Sequence, residues 1–469
     1  MYFHARLISY FYILGVFFMS SGKHLNGIHV NHCKNTAGLA VMPLPLPEKV
    51  YIPMSQNIGA PCQPVVSVGD HVKLGQLIGD CEKPVSAPIH ASVSGEVVAI
   101  ETFMDQMGRD DVHVVIQSDG KQEIADTVVP PTINSKADFL AAVRASGVVG
   151  LGGATFPMSV KFNVREPAHV DTFIVNGAEC EPFLTVDHAA MLSNAADVVE
   201  ALRLTMKWLE IEKGVIGIET NKPDAIALFK DLTKDDANIE INELRQIYPQ
   251  GAERVIIYES TGRHLLAGKL PADVGCIVSN LTSMLKMYQY IKTGMPMVSK
   301  AVTVDGNCIE RPQNLEVPIG TMLSDVIEYC GTKGEIKKIV LGGPMMGRAI
   351  PRDDFGLMKG NSGILCFDET FATQHTETAC INCGRCVAGC PMNLMPTKLA
   401  KAWEHRNIDL LRAYDVLTCM DCGSCGYSCP ARKQLNFEIK QAKAWVMAED
   451  RKAAEKAKAE AAAKEGGNK

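Results

Sequence analysis

Eight of the sixteen cysteines in this chain stand in two copies of one pattern, Cys-x-x-Cys-x-x-Cys-x-x-x-Cys-Pro. The copies are Cys380, Cys383, Cys386 and Cys390, followed by Cys419, Cys422, Cys425 and Cys429. Three thiolates at two-residue gaps can hold one face of an iron–sulfur cubane, and the fourth, which precedes a proline, reaches the neighbouring cluster. The pattern predicts two adjacent [4Fe-4S] clusters with crosswise ligation. The predicted ligand sets are Cys380, Cys383, Cys386 with Cys429, and Cys390 with Cys419, Cys422, Cys425.

Structural zinc and disulfides are the alternative uses of these cysteines. Zinc sites usually take two pairs of ligands, without a third regular cysteine or a trailing proline. A disulfide framework needs an oxidising compartment and regular spacing, which the other eight cysteines lack. These eight are expected to be scattered, mostly buried thiols: Cys33, Cys62, Cys81, Cys180, Cys276, Cys308, Cys330 and Cys366. The Leu- and Ala-rich segment 397–417 between the motifs predicts a helical cluster module.

A glycine-rich segment at residues 147–157 is a second candidate binding site. Gly150, Gly152 and Gly153 allow backbone N–H groups to converge on an anion, and Lys161 adds a positive charge nearby. Alone, such a cluster is more often a tight turn, and it matches neither Gly-x-Gly-x-x-Gly nor a Walker loop. However, a polar, acidic loop at 176–182 follows a predicted strand, at the strand end where open α/β sheets bind ligands. Together the two loops predict a site for a nucleotide cofactor.

The elements around these loops alternate between strand and helix. Strands are predicted at 171–175, 215–219 and 239–247, and helices at 135–144, 189–210, 224–232, 253–264 and 283–290. This alternation is typical of an α/β layer with a mostly parallel sheet. Residues 44–124 contain short strands with regular glycines and resemble the barrel-sandwich hybrid of biotinyl and lipoyl carriers. Because Lys83 precedes Pro84 and lacks a carrier tip sequence, we expect a structural module without a swinging arm.

The composition of the chain and its apolar N-terminal run limit the possible partners and locations of the protein. The chain is long and apolar enough for several domains, and its net charge of −6, without a basic block, argues against nucleic acid as the main partner. Residues 7–19 form an apolar run that allows three interpretations. Translation begins at Met19 and not at Met1, or the run is a membrane-surface anchor, or it is an export signal. Export conflicts with cluster assembly in the cytoplasm. Elsewhere no stretch is long enough to cross a bilayer, so any membrane association is expected to be peripheral.

With these residues, the chain resembles the C subunit of Rnf-type electron transport complexes, and its middle resembles the flavin-carrying, NADH-oxidising subunit of respiratory complex I. The flavin loop of the family matches Gly150, Gly152, Gly153, Ala154, Phe156, Pro157 and Lys161, with Leu151 where complex I has arginine. The second family loop matches Asn176, Glu179, Glu181 and Pro182, and the third retains Asn280. The sequences of segments 44–53, 248–251 and 343–347 also resemble the Rnf C subunit more than the complex I subunit.

The resemblance implies a multidomain α/β and α+β protein. The expected parts are an N-terminal segment (1–43), a barrel-sandwich hybrid (44–125), a Rossmann-like FMN/NADH domain (126–297), a β-grasp, SLBB-like domain (298–365), an α-helical ferredoxin domain with two [4Fe-4S] clusters (366–447) and a charged tail (448–469).

It also implies non-covalent FMN, NAD(H) as substrate, and Glu181 as the catalytic residue beside the nicotinamide; capping of a helix N-terminus is the alternative role for Glu179 and Glu181. The expected role is a peripheral subunit at the cytoplasmic side of the cell inner membrane. Its expected partners are the other Rnf subunits and, indirectly, ferredoxin, with electron exchange coupled to ion translocation. A flavin-free iron–sulfur wire is the alternative, and a quinone-linked sodium pump subunit is opposed by the two cluster motifs.

Overall fold

The computed structural model describes residues 24–164, 169–373 and 375–466, so the apolar run 7–19 lies outside the described residues. The described chain forms two compact units. The larger unit contains residues 29–251 and 269–375, and the cysteine unit contains residues 24–28, 252–268 and 376–466. Within the described part of the chain, no helix is both long enough and apolar enough to span a membrane.

The larger unit begins with a β-rich domain. Its strands are β1 (Val41–Pro43), β2 (Lys49–Pro53), β3 (Gln63–Pro64), β4 (His71–Val72), β5 (Leu77–Asp80), β6 (Ile89–His90), β7 (Gly95–Met104) and β8 (Asp110–Ser118). Two small sheets, β2-β8-β7-β4 and β3-β5-β6, enclose a shared core that includes Val50, Ile78 and Ile116. Strand β1 lies apart from these sheets and joins the last sheet of the unit instead.

An α/β layer follows. Its elements are α1 (Lys136–Ala145), α2 (Met158–Phe162), β9 (Thr172–Gly177), α3 (Val186–Leu209), β10 (Lys213–Glu219), α4 (Pro223–Leu232), β11 (Ile239–Leu244), β12 (Cys276–Asn280) and α6 (Leu281–Thr293). Helix α5 (Glu253–Thr261) follows β11 in sequence but is part of the cysteine unit. The strands form one fully parallel sheet in the order β11-β10-β9-β12. Strands β9 and β10 are apolar along most of their length because helices cover a parallel sheet on both faces.

The last domain of the larger unit is a six-stranded sheet with one main helix. It contains β13 (Ser299–Asp305), β14 (Gln313–Pro318), α7 (Leu323–Cys330), β15 (Lys338–Leu341), β16 (Arg348–Ile350), β17 (Gly363–Phe367) and the short α8 (Glu369–Ala372). The strand order is β1-β14-β13-β17-β15-β16, so the N-terminal strand β1 completes the sheet in parallel with β14.

The cysteine unit is helical, as the sequence between the two motifs predicts. Its helices are α9 (Arg385–Ala388), α10 (Pro396–Glu404), α11 (Ile408–Ala413), α12 (Ser424–Tyr427) and α13 (Leu435–Gly466), with a 3-10 turn at Val416–Thr418. Leu399, Leu411, Ile439 and Val446 form its apolar core. Helix α5 belongs to this unit, although its sequence position lies inside the predicted FMN/NADH domain of residues 126–297.

Candidate functional site

The strand order of the parallel sheet defines where a ligand is expected. Taken in chain order, its four strands run 3-2-1-4, so the direction of winding reverses between β9 and β12. Open α/β sheets bind ligands at the carboxyl ends of the strands that flank such a reversal. Asn176 near the end of β9 and Asn280 at the end of β12 are direct register partners at this point. Two of the predicted site residues are therefore neighbours.

The glycine-rich segment forms a closed loop near the carboxyl end of β12. The Gly150 N–H donates to the Phe156 carbonyl at 2.9 Å, and Val149 pairs with Pro157. The Ser283 hydroxyl, in the first turn of α6, accepts from the Leu151 N–H at 3.0 Å and donates to the Val149 carbonyl at 3.0 Å. These bonds tie the loop to the start of α6.

The glycines of this loop differ in what surrounds them. A Cβ added to Gly152 would lie 3.0 Å from the Asn280 amide nitrogen, whereas one added to Gly153 would meet no atom within 4 Å. Other open glycines, such as Gly38 and Gly262, have positive φ angles that favour glycine, but Gly153 does not. Packing and backbone conformation of the protein thus give no reason for glycine at 153. An exposed surface without a Cβ fits the close approach of a cofactor phosphate to the backbone.

The two asparagines and Lys161 stabilise the loops around this surface. The Asn280 side-chain Oδ1 accepts from the Ser283 N–H at 3.2 Å and caps α6, and its Nδ2 donates to the Asp187 carboxylate at 2.8 Å. The Asn176 amide donates to the Gly251 carbonyl at 2.8 Å. The Lys161 ammonium donates to the Val278 carbonyl at 2.9 Å, which places its positive charge beside the edge strand β12, two residues before that strand ends.

Ala154 and Phe156 lie in the outer half of the glycine loop. Ala154 is exposed, and its carbonyl accepts from the Thr155 hydroxyl at 2.7 Å. The Thr155 carbonyl accepts from the Ile58 N–H at 3.3 Å, and its methyl group lies 2.4 Å from where a Gly360 Cβ would stand. The loop is therefore supported from the barrel-sandwich side and from the segment before β17.

Glu179 caps a helix, as the alternative interpretation of the acidic loop expected. Its carboxylate accepts from the Asp187 N–H at 2.6 Å and from the His188 N–H at 3.2 Å, at the start of α3. Burial raises the pKa of Glu179 to about 7, against the opposing effect of Lys34. The helix N-terminus and the carboxylate stabilise each other.

Glu181 holds the turn between β15 and β16. Its carboxylate accepts from the Met345 N–H at 3.0 Å and from the Met346 N–H at 2.9 Å. A Cβ on Gly343 would stand only 2.3 Å from the same carboxylate, so glycine is required there. Burial raises the pKa of Glu181 above its usual range. Catalysis by Glu181 stays a prediction, since both carboxylate oxygens are already engaged by backbone amides.

Two lysines beneath the acidic loop were not foreseen from the sequence. The Lys34 ammonium donates to the carbonyls of Glu179 at 3.0 Å and Glu181 at 2.9 Å. The buried Lys222 donates to the Ala178 carbonyl at 2.7 Å. Neither lysine belongs to a recognisable sequence motif, so no local pattern predicts its contact with this loop. The two lysines donate to the carbonyls of residues 178, 179 and 181 and so fix the shape of the loop.

The cysteine unit brings the eight motif cysteines together in two sets. A cavity of about 130 Å³ is lined by Cys380, Cys383, Cys386 and Cys429, and a tighter one of about 30 Å³ by Cys390, Cys419, Cys422 and Cys425. Each cavity combines three thiols of one motif with the last thiol of the other, which is the crosswise arrangement. All sixteen cysteines are free thiols.

The donor set suits clusters better than single ions. Among the described residues, no group of three or more His, Cys, Asp or Glu side chains is arranged to hold one metal ion. Thiols around a cubane stand farther apart than the ligands of one zinc ion, whose Zn–S bonds are about 2.3 Å. Burial raises the pKa of Cys419 to about 12 and raises the pKa of Cys390. Thiolates this buried need the positive charge of iron beside them.

The two motifs also share a backbone pattern. Asn382 and Asp421, two residues after the first cysteine of each motif, have φ of +55° and +59°. Gly384 and Gly423 have φ of +74° and +79°, each at the start of a short helix. Left-handed residues between the cysteines turn the chain so that successive thiols face one cavity. The repeated Asn/Asp-Cys-Gly triplet could have predicted this backbone geometry from the sequence, but the prediction above considered only the spacing of the cysteines.

Four family descriptions match successive parts of the chain. They are the RnfC barrel sandwich hybrid domain at 23–121, the Nuo51 FMN-binding domain at 143–289, the SLBB domain at 301–349 and the 4Fe-4S dicluster domain at 379–433. These matches confirm the predicted fold class, whereas the exact domain boundaries stay predictions.

Curated relatives are similar over most of the chain. The C subunit of the Na(+)-translocating ferredoxin:NAD(+) oxidoreductase complex of Acetobacterium woodii is 41% identical over 438 residues, 92% of this chain and 98% of that protein. The C subunit of the proton-translocating ferredoxin:NAD(+) oxidoreductase complex of Clostridium ljungdahlii is 42% identical over 380 residues, covering 80% and 83%. Among solved structures, an H2-reduced NAD+-reducing [NiFe]-hydrogenase aligns with a TM-score of 0.47 at 17% identity, over 65% of this chain and 63% of that one.

Proposed function

The chain belongs to the family of C subunits of Rnf-type ion-translocating oxidoreductase complexes, and we propose that it is their peripheral electron-transfer subunit, exchanging electrons between NAD(H) and ferredoxin through FMN and two [4Fe-4S] clusters. The observation that carries this proposal is the pairing of an open glycine loop at the sheet's switch point with two four-thiol cavities. The first is suited to a flavin phosphate and the second to cubanes.

FMN supplies the step between hydride and single-electron chemistry, because a flavin can take two electrons at once and release them singly. The residues proposed to hold it are Gly150, Gly152, Gly153, Ala154, Phe156, Lys161, Asn176, Glu179 and Asn280. Gly153 admits the phosphate close to the backbone, and Lys161 provides positive charge at the sheet edge. Asn280 orients the loop through α6, while Glu179 and Lys34 keep the acidic loop in place.

The proposed cluster ligands are Cys380, Cys383, Cys386 and Cys429 for one cubane and Cys390, Cys419, Cys422 and Cys425 for the other. Glu181 is proposed to act on the nicotinamide side, directly or through the turn that it holds. We further propose, by analogy with the named relatives, that it assembles with the other subunits of such a complex at the cytoplasmic side of the inner membrane and that its electron transfer is coupled to ion movement. Because one relative is named for sodium and another for protons, the ion stays open.

The test compares wild-type protein with Gly153→Ala and Gly153→Val, all purified anaerobically. Flavin content, iron content and NADH-dependent reduction of a dye acceptor are measured for each. We expect about one flavin and about eight irons in the wild type. Since Gly153 faces open space, the substitutions should leave thermal stability and iron unchanged while flavin content and dye reduction fall, more for Val than for Ala.

Iron content serves as the internal control, because the clusters belong to the other unit. Full flavin occupancy with normal dye reduction in Gly153→Val would contradict the flavin-loop assignment and favour the flavin-free wire. Four irons or none in the wild type would contradict the two-cluster assignment.

A further inference from the structure

Helix α5 is a part of the cysteine unit that the cluster motifs do not include. It lies more than 100 residues before the first motif in sequence, yet residues 252–268 group with the cysteine-bearing segments. Glu259 on this helix accepts from the Leu25 N–H at 3.0 Å and contacts His24 at 2.6 Å, so the helix is also tied to the N-terminal part of the unit. The unit is thus assembled from three separate stretches of chain.

The first turn of α5 reaches the second cluster motif through Arg254. The Arg254 guanidinium donates to the Thr418 carbonyl at 2.9 Å. Thr418 ends the 3-10 turn Val416–Thr418, and the next residue is the predicted cluster ligand Cys419. From the other side, the Lys443 ammonium of α13 donates to the Cys419 carbonyl at 2.6 Å. Two consecutive carbonyls that flank one ligand therefore accept from cationic side chains.

The first motif has a different environment. Its cysteine equivalent to Cys419 is Cys380, whose thiol contacts the Asn382 side chain at 3.6 Å. The lysine that lines its cavity, Lys433, pairs with Glu377 at 3.0 Å, so its charge is offset by a carboxylate. Lys443 beside the second motif is likewise paired with a carboxylate, that of Asp421 at 3.2 Å. The two motifs repeat in sequence and in backbone conformation, and the charge that distinguishes the second is that of Arg254 on the Thr418 carbonyl.

We propose that Arg254 is a positioning residue that fixes the turn leading into Cys419 and raises the reduction potential of the cluster held by Cys390, Cys419, Cys422 and Cys425. Reduction adds one electron, and hence one negative charge, to the cluster. A nearby guanidinium stabilises the reduced state more than the oxidised state, and outer hydrogen bonds tune such centres. The proposal rests on the cluster assignment above but needs neither the flavin site nor NADH.

The test uses the full chain, titrated with dithionite and redox mediators and followed by low-temperature EPR. A Cys383→Ser variant, which removes a ligand of the other cluster, assigns the signals. In Arg254→Met we expect about eight irons to remain and the midpoint potential of the Cys419 cluster to shift downward, with the other cluster unchanged. Arg254→Lys, which keeps the charge, should retain most of the wild-type potential.

Arg412→Met is the matched control. Arg412 is an exposed arginine of the same unit that pairs with Asp450 at 2.6 Å, so its removal changes the net charge equally and should shift neither potential. Selective loss of the Cys419 cluster in Arg254→Met, restored in Arg254→Lys, would also support the proposal. Equal potentials in wild type and Arg254→Met, or equal shifts in both clusters, would overturn it. A wild-type chain without the Cys419 cluster would overturn both this proposal and the two-cluster assignment.

Discussion

Glu181 shows how one carboxylate can serve both structure and chemistry. Its two oxygens accept from consecutive amides of the 345–346 turn, and the Tyr248 hydroxyl stands 3.5 Å away. The acidic loop, the 248–251 segment and the 343–347 turn, which are separate features of the sequence, therefore meet at this side chain. Any effect of Glu181 on nicotinamide binding has to be measured together with its effect on that turn.

The first prediction concerns Glu181→Gln. The amide replaces one acceptor by a donor that faces a backbone N–H, so we expect a loss of about 1–3 kcal/mol in stability. Flavin and iron should be retained, and the KM for NADH in dye reduction should rise. Thermal unfolding and steady-state kinetics measure both effects.

Gly343→Ala provides the matched control for this contact. Its added Cβ would lie 2.3 Å from the Glu181 carboxylate and 2.5 Å from the Glu181 Cβ, so it should destabilise the wild type clearly but a Glu181→Gly background, which lacks both groups, much less. Unchanged melting temperature together with unchanged KM in Glu181→Gln would contradict the role of this contact.

Lys359 gives a prediction for pH dependence. Its fully buried ammonium donates to the carbonyls of Pro88 at 2.8 Å and Gly147 at 2.7 Å, at the entry to the glycine loop. Burial lowers the pKa of Lys359 from 10.5 to about 8. Between pH 8 and 10.5 the unfolded chain binds more protons than the folded chain, so this lysine makes the protein more stable as pH rises through that window.

Between pH 7.5 and pH 9.5 we expect the free energy of unfolding of the wild type to rise relative to that of Lys359→Met, by no more than about 3 kcal/mol. The melting temperature of the wild type should rise relative to that of the variant in the same range. The exposed Lys121→Met is the control and should show no such difference. A constant difference between wild type and Lys359→Met across this range would show that the folded lysine stays protonated throughout, and hence that burial does not lower its pKa.

At the scale of elements, the two cysteine motifs depend on each other. Each cavity takes its fourth thiol from the opposite motif, so α9 and α12 with their flanking loops must fold together. Packing of α10 against α13, with Trp403 and Trp445 in edge contact at 6.0 Å, holds the two halves in this arrangement. The module is therefore one cooperative element and not two independent ones.

Cys429→Ala tests this interdependence. Although Cys429 belongs to the second motif, we expect its loss to damage the cluster of Cys380, Cys383 and Cys386 and to reduce iron from about eight to about four per chain. Iron analysis and EPR of the remaining cluster measure the outcome, with Cys366→Ala as a control thiol outside the unit. Damage confined to the cluster of Cys419 would contradict the crosswise ligation.

At the scale of the whole molecule, the C-terminal helix extends beyond the part that packs. Val446 is the last buried residue before the exposed stretch 451–458 of α13. Residues 451–458 therefore contribute little to the core of the cysteine unit. Their Ala, Lys and Glu composition favours a solvated helix.

Ending the chain at Asp450 should consequently leave iron content, both cluster potentials and NADH-dependent dye reduction unchanged, while helical circular dichroism decreases. Ending it at Trp445 instead removes Val446 from the core and should lower the iron content. Loss of iron from the Asp450 truncation would show that the tail stabilises the clusters.

The sequence by itself determined what depends on short stretches of chain. The spacing of the cysteines, the glycine loop and the alternation of strand and helix all arise within a few turns of backbone, because local geometry dictates which residue types each permits. These features predicted the cluster sets, the helical cluster module and the parallel sheet. The family resemblance added the β-grasp domain, which completes the confirmed fold class, together with FMN and NADH.

Only the tertiary structure decided what distant segments do to one another. It placed β1 in the last sheet, α5 with the cysteines, Lys34 beneath the acidic loop and both Glu181 oxygens on a turn 164 residues away. The physical reason is that a lone lysine, arginine or glutamate carries the same sequence signal whether it caps a helix, holds a carbonyl or touches a substrate. Its role depends on which partners the packing of the chain brings within hydrogen-bonding distance.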